Sequence, residues 1–392
     1  MKKAAISSKP APDRVRAARL LWRLPLLAGG AIALLCGVAG GLQRLGWDAA
    51  ATVSLAELHG PLMIGGFLGA VIAIERAVAL GQLWAYLGPL AAVLGTLAAI
   101  AGLPLVYAQA GWTAAGAILL AASSVIAFRH RAAFTVLLAI AAAAWAIGSA
   151  AWLFGAPFDA VVLWWLSFLV LTIAAERLEL NRVLRPTAFS RRVFWVPVAM
   201  LLLAAAAALE TEEAWRLAGA ALLGLAAWLV RHDVARRTIR LSGLPRYAAA
   251  CLLSGYFWLA LAGVIMLLLP VEMNRLAYDA ALHAVFLGFV FAMVFGHAPI
   301  ILPAVTGAQA RFRTVLYGPL ILLNLSVVVR ICGDLLAALE ARRWSGVLTA
   351  AAIAWFIASM ASLIGSGRNR GASRPICAAT KTERAAGANL AP

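Results

Sequence analysis

The chain has 392 residues, of which 64% are hydrophobic and only 12% are charged, and its formal net charge is +17. Soluble domains carry about 25% charged residues, so this composition excludes an ordinary soluble protein and predicts a polytopic membrane protein. In a membrane protein, excess Lys and Arg mark cytoplasmic loops, so the positive charge does not indicate a nucleic-acid partner.

Twelve apolar runs are each long enough to cross a lipid bilayer as a helix, which takes about 20 residues. A basic N-terminus, residues 1–20, precedes them, and the polar tail, residues 367–392, is predicted to be disordered. No convincing cleavage site follows the first run, so the predicted membrane domain is 21–366. In chain order, the predicted spans are 21–42, 55–80, 84–106, 112–128, 132–154, 158–180, 193–209, 214–231, 247–269, 276–303, 314–338 and 346–366.

The connections between these spans differ in charge. The even-numbered connections hold Arg129, Arg131, Arg182, Arg185, Arg191, Arg192, Arg236, Arg237, Arg240, Arg311 and Arg313. The opposite connections hold Asp48, Glu57, Asp159, Glu210, Glu212, Glu213 and Glu272. This partition predicts that both termini are cytoplasmic. The excess of Arg over Lys and the Ala-rich helices indicate a GC-rich bacterium, which favours the bacterial inner membrane as the location.

A short repeat suggests how the spans are arranged. The second span ends in IAIER (Ile72–Arg76), and the sixth ends in IAAER (Ile173–Arg177), 101 residues later. Because four spans separate the two copies, the sequence predicts three pseudo-repeated arcs of four helices each.

Two histidines form the main candidate site. His59 lies about four residues inside the second span, roughly 6 Å deep, and His283 lies about seven residues inside the tenth, which runs in the same direction. Two imidazoles at similar depth on separate helices suit the axial positions of a b-type haem. Nearby glycines, such as Gly65, Gly69 and Gly288, admit either a flat ligand or another helix. The alternative is that each histidine only bonds a polar group of a neighbouring helix.

His297 lies 14 residues beyond His283. On a straight α-helix this spacing returns it to within about 40° of the same face but roughly 21 Å deeper, so it cannot bind the same iron. It is therefore a candidate ligand of a second metal or haem, or part of a proton path. His130 and His232 lie in basic connections and are expected to be solvated.

The same two segments resemble a known family. DAALHAVFLGFVFAMVFGHAPIILPAVTG resembles the tenth helix of the catalytic subunits of haem-copper oxidases and nitric oxide reductases, and LHGPLMIGGFLG resembles their second helix. The resemblance implies that His59 and His283 bind a low-spin haem and that the twelve-helix fold is haem-copper-oxidase-like. The chain also resembles NnrS, a twelve-span haem protein linked to nitric oxide metabolism.

The resemblance extends to arginines. Arg342 and Arg343 resemble an Arg-Arg pair that oxidase subunits carry in the loop between the last two helices, which implies that they hold the haem propionates, since arginine binds carboxylates bidentately. Arg330, inside the eleventh span, is a further candidate. Its alternative role is a structural ion pair with Asp334, four residues on.

Departures from the family limit the predicted chemistry. Ala281 stands where the family has a second tenth-helix histidine, and the sixth and seventh spans lack the histidines that bind copper. The usual binuclear site is therefore not expected, although the sequence leaves copper binding of another kind open.

We expect a b-type haem protein, NnrS-like, that takes part in nitric oxide handling, electron transfer or haem-linked sensing, with a respiratory electron donor or nitric oxide as partner. No residue is assigned a catalytic role. Two alternatives stay open at this stage. The first is a transporter or permease whose intramembrane His and Arg residues line a substrate or proton path, and the second is a membrane assembly factor for a respiratory complex.

Overall fold

The computed structural model describes residues 13–47, 55–184, 187–208, 211, 213–271, 274–306 and 312–368. Within these residues the regular secondary structure is helical, without β-strands. Twelve helices are long and apolar enough to cross a membrane, which confirms the predicted number. They are α1 (Arg23–Arg44), α2 (His59–Leu80), α3 (Leu83–Ile100), α4 (Leu105–Arg129), α5 (Ala133–Leu153), α6 (Phe158–Leu180), α7 (Ala188–Ala207), α8 (Glu213–His232), α9 (Gly243–Leu268), α10 (Arg275–Pro303), α11 (Thr314–Leu335) and α12 (Leu339–Leu363).

The ends of the chain continue beyond these spans. The first helix begins at Asp13, within the predicted basic N-terminus, and the last helix continues to Arg368. The remainder of the predicted N-terminal segment and of the predicted disordered tail lies outside the described residues.

Two hydrogen bonds between helix ends show that α3 runs in the same direction as α1 and that α12 runs in the opposite direction. Arg23 Nε donates to the Tyr86 hydroxyl at 3.0 Å, which joins the start of α1 to the start of α3. Trp47 Nε1 donates to the Arg343 carbonyl at 2.9 Å, which joins the end of α1 to the start of α12. We name the side on which α1 starts the basic side, because the arginine-rich connections lie there, and the opposite side the acidic side.

Of the helices that begin earlier than the sequence predicts, α4 and α12 differ the most, by seven residues each. α4 starts at Leu105, directly after Pro104, whose fixed φ suits a helix start. α12 starts at Leu339, after a tight connection in which Ala337 has a left-handed φ of 52°. Arg342 and Arg343 therefore lie in the first turns of a helix, and their predicted position in a loop is wrong. A start at 346 would follow if two adjacent arginines ended the helix. The helix instead includes both arginines in its first turns.

The interior of the bundle is formed around α2, α6 and α10. α6 is the most enclosed span, with 83% of its apolar window buried, and α2 follows with 67%. The glycines of α2 receive aromatic side chains: a Cβ on Gly65 would lie 3.0 Å from Trp112, and one on Gly69 would lie 2.5 Å from Trp145. Gly288 of α10 faces Trp258 in the same way. These glycines therefore serve helix packing, which is one of the two roles predicted for them.

Candidate functional site

The structure brings His59 and His283 together near the acidic side of the bundle. Their ring centroids lie 6.4 Å apart, and the two ring planes differ by only 12°. His59 is the first residue of α2, and His283 lies two turns into α10, so two separate helices position the pair. The match in depth that the sequence predicts is therefore present in the fold.

Hydrogen bonds fix the tautomer of both rings. His59 Nδ1 donates to the carbonyl oxygen of Gly37 at 2.7 Å, and His283 Nδ1 donates to the carbonyl oxygen of Asp279 at 2.8 Å. A carbonyl oxygen only accepts, so the proton of each neutral imidazole is on Nδ1. Nε2 then keeps its lone pair on both rings. Histidines that bind metals are commonly oriented in this way, through a hydrogen bond from the other ring nitrogen.

Both histidines line one cavity, which has an apolar wall and a charged mouth. The wall is formed by Val38, Leu42, Met63, Leu68, Leu282, Phe286, Leu287, Phe291 and Ile353. The charged lining residues are Arg44, Asp159, Arg275, Asp279 and Arg330. A cavity of this kind suits a flat, largely apolar molecule that carries anionic groups at one edge.

Gly41 of α1 makes room for the His59 ring. A Cβ at this position would lie 2.9 Å from both Nδ1 and Cε1 of His59, closer than real Cβ contacts allow. Because the ring is held by Gly37 O one turn earlier on the same helix, it cannot move away without losing that hydrogen bond. Sequence reasoning missed Gly41, since nothing in the α1 run marks which of its glycines faces a histidine.

Each histidine is followed by a π-helix. Residues Leu62–Leu68 of α2 and Ala284–Phe291 of α10 both adopt this wider form. π-Turns are rare and are found disproportionately at functional sites. The two segments flank the cavity, and several of their residues line it. No shared sequence motif predicts them: Pro61 precedes the first segment, but no proline closely precedes the second.

A buried ion network lies beside His283. Asp279, one turn before His283, approaches its Nδ1 at 3.3 Å and pairs with Arg330. Arg330 Nε also donates to Asp334 at 3.1 Å, which confirms the predicted i,i+4 pair. Arg342 pairs with Asp334 and lies 3.5 Å from Asp279. The four charges balance, as buried charges must.

The three arginines predicted to hold a cofactor therefore differ in surroundings. Arg330 lines the cavity but is engaged by two carboxylates, and Arg342 belongs to the same network. Arg343 contacts Glu340 at 3.1 Å and lies 4.8 Å over the Trp47 ring. Two lining arginines that sequence reasoning did not select, Arg44 and Arg275, are exposed at the cavity mouth, where Arg275 pairs with Asp159 at 3.5 Å. Their positions, at the end of α1 and the start of α10, are the only sequence signal for them.

His297 lies in a different part of the bundle. Its Nδ1 donates to the Met293 carbonyl at 2.7 Å, and Arg177 Nη2 donates to its Nε2 at 2.8 Å. Glu176 Oε2 is 3.8 Å from the same nitrogen. Both ring nitrogens are thus engaged by the protein. Among the described residues, no group of three or more His, Cys, Asp or Glu side chains is arranged to hold a metal ion.

The fold and the site define a multi-pass membrane protein with a two-histidine cavity between α2 and α10. The chain belongs to the family described as domain of unknown function DUF8744, whose match covers residues 23–364 and hence all twelve spans. No curated protein matches the chain.

Proposed function

We propose that the chain is a b-type haem protein in which His59 and His283 bind the iron from the two faces of the porphyrin. The observation that carries this proposal is the separation of 6.4 Å between ring centroids with planes 12° apart. Two metal–imidazole bonds of about 2 Å, together with the distance from each bonding nitrogen to its ring centre, add up to about 6 Å. Two imidazoles are also all that a six-coordinate haem requires from the protein.

Two further observations support the proposal. The Nδ1 protons are already donated to Gly37 O and Asp279 O, which leaves Nε2 of each ring basic and available for a metal. The apolar wall of the cavity suits the porphyrin ring, and Arg44 and Arg275 at its mouth suit the propionates. Arg330 and Arg342 would instead hold Asp279 in place, and Asp279 would in turn orient the His283 ring.

Electron transfer is the role that this ligand set favours. When bound, haem supplies one-electron redox chemistry. His59 and His283 would together hold the haem iron, and this use of both histidines favours electron transfer over nitric oxide handling or sensing. We therefore infer an NnrS-like haem protein that exchanges electrons with a respiratory donor, with a haem-copper-oxidase-like arrangement of its three helix arcs. The basic side is then cytoplasmic and the membrane is the bacterial inner membrane, as the positive-inside rule predicts.

A visible spectrum of the purified full-length protein tests the proposal. Protein from haem-replete cells is expected to show a reduced low-spin b-type spectrum, which is lost in both His59→Ala and His283→Ala. His130→Ala, at the exposed end of α4, is the matched control and should keep the full spectrum. The near-parallel rings further predict a rhombic low-spin EPR signal in the oxidised state. A haem-free wild type, or a spectrum unchanged in both variants, contradicts the proposal.

A transporter is the second candidate, and one observation favours it. The acidic side of α2 and α10 carries an open cavity, and the basic side of the same two helices carries charged residues around His297. Polar groups at both ends of one helix pair are expected along a substrate or proton route. Stoichiometric purification without haem from haem-replete cells would support this candidate over the first.

A further inference from the structure

A second polar cluster lies at the basic-side ends of α2, α6 and α10. It contains the two Glu-Arg pairs that the sequence repeats: Glu75 with Arg76, and Glu176 with Arg177. Arg76 Nη2 lies 3.6 Å from Glu75 Oε1. His297 belongs with the second pair, since it contacts both Arg177 and Glu176. The proposed haem site does not use any of these side chains.

The hydrogen bonds of His297 describe its neutral form. Nδ1 donates to the Met293 carbonyl, and Nε2 accepts from the Arg177 guanidinium, so no second ring proton is present. Glu176 Oε2 is 3.8 Å from the same Nε2, just beyond hydrogen-bonding distance. A proton added to Nε2 would end the bond from Arg177, because two donors cannot face each other. The imidazolium would instead attract the Glu176 carboxylate.

The two glutamates are themselves a protonatable pair. Glu176 lies 3.8 Å from His297 Nε2, and Glu75 is near enough to Glu176 for two ionised carboxylates to repel each other. Two carboxylates that share a poorly solvated site favour binding one proton between them. Their side chains are 29% and 23% exposed, so both are enclosed but still reached by solvent.

Other charged or titratable groups around the cluster come from α2, α6, α9 and the connection between α8 and α9. They are Arg76, Arg177, Glu179, Asp233 and Tyr256. Asp233 is already satisfied, because it accepts from the Ala235 backbone N–H at 2.7 Å and from the Tyr256 hydroxyl at 2.6 Å. The two arginines stay charged, so the groups left to exchange protons are Glu75, Glu176 and His297, with Glu179 exposed at the rim.

Buried polar atoms beside the cluster also lack partners. Arg177 Nε and both amide atoms of Asn181, one turn further along α6, have no hydrogen bond within the described part of the chain. Arg177 is 5% exposed and Asn181 is fully buried. Buried polar groups are nearly always bonded, so this end of α6 has capacity for further hydrogen bonds when a proton enters.

We propose that Glu176 and His297, with Glu75 beside them, form a proton-binding site on the basic side of the membrane. The proton comes from solvent on that side, forms a bond to a carboxylate oxygen or to His297 Nε2, and in the latter case exchanges Arg177 for Glu176 as the partner of the ring. This site is separate from the two-histidine cavity and does not depend on haem.

Infrared difference spectroscopy against pH tests the site in purified full-length protein. Acidification from about pH 9 to about pH 5 is expected to produce a protonated-carboxyl band. Glu75→Gln and Glu176→Gln should each remove half of this band or more, whereas Glu176→Asp should retain it. His297→Gln should move the midpoint of the band by about one pH unit, because it removes a group that competes for the same proton.

Glu213→Gln is the matched control, since Glu213 belongs to an exposed Glu-Arg pair, with Arg216, on the acidic side. It should change neither the size nor the midpoint of the band. Helical circular dichroism and gel filtration identify variants that do not fold. A wild type without the band, a full band in both Gln variants, or an unmoved midpoint in His297→Gln overturns the proposal. No step of proton binding needs haem. A haem-free protein that shows the band therefore refutes the proposed haem function and leaves the proton-binding site standing.

Discussion

The two ends of α2 and α10 carry histidines in opposite circumstances. At the acidic side, His59 and His283 each use only Nδ1 for a hydrogen bond to the protein and keep Nε2 for a ligand. At the basic side, His297 has both nitrogens engaged, by Met293 O and by Arg177. The difference teaches that the partner of the second nitrogen, and not burial in a membrane helix, distinguishes a candidate metal ligand from a candidate proton acceptor.

The two histidines of α10 should respond very differently to replacement by alanine. His283→Ala should remove essentially all bound haem, whereas His297→Ala, on the same helix, should keep it. Of these two histidines, only His283 offers a basic nitrogen to the cavity. The haem-to-protein ratio, measured by pyridine haemochrome, checks both variants. Equal loss in the two would mean that haem retention reports general folding of α10.

The ion network beside His283 should have the next largest effect. Asp334 is fully buried between Arg330 and Arg342, so Asp334→Asn leaves two guanidinium groups undercompensated. Breaking a buried pair costs about 3–5 kcal/mol, and the free energy of unfolding in detergent should fall accordingly. Glu340→Gln, which breaks the more exposed pair with Arg343, should cost about 0–1 kcal/mol. Similar losses in the two variants would refute the role given to burial.

A steric change at Gly41 should have a moderate effect. Gly41→Ala places a methyl group against the His59 ring and should cost about 1–3 kcal/mol of stability as an overpacked site. The same change should weaken haem binding, because the ring leaves Gly37 O. Gly30→Ala, on the same helix, meets its neighbours only at 3.8 Å or more and is the control. Thermal unfolding and haem titration of the two variants separate the site effect from helix propensity.

The smallest expected effect concerns the redox potential. Asp279→Asn removes a negative charge beside His283 Nδ1, which makes the oxidised, more positive haem less favourable. The midpoint potential should rise by on the order of tens of millivolts. Potentiometric titration checks the sign, with Asp159→Asn at the exposed cavity mouth as a control for general surface charge. A fall in potential would contradict the proposed contact.

The sequence predicted the spans well because crossing a bilayer is a local property of about 20 apolar residues. All twelve predicted spans coincide with helices to within a few residues, apart from the end of α3 and the starts of α2, α4, α7, α9 and α12, which differ by four to seven residues. The pairing of His59 with His283 was also predictable, since depth follows from residue count along each helix. Contacts between helices were not: Gly37 O, Gly41, Arg44 and Arg275 reach the site only through the packing of α1 and α10.

Arg342 illustrates why side-chain roles are harder to predict than positions. Its resemblance to the oxidase Arg-Arg pair predicts an arginine that holds a haem propionate. In the fold, Asp279 and Asp334 come from two other helices and engage it. Electrostatic partners across helices are properties of the assembled bundle, so no pattern along one span could assign them.

In α2 and in α10, the π-helix sets how far the residues at one end of the helix are rotated about its axis relative to those at the other end. A π-turn contains more residues than an α-turn, so the eight residues Ala284–Phe291 rotate the following chain less than an α-helix of equal length would. The angular offset of His297 from His283 is therefore a consequence of this local unwinding. Loss of a single residue from the segment would rotate the far end of the helix by about 100°. His297 would then no longer face its present partners, although His283 kept its position.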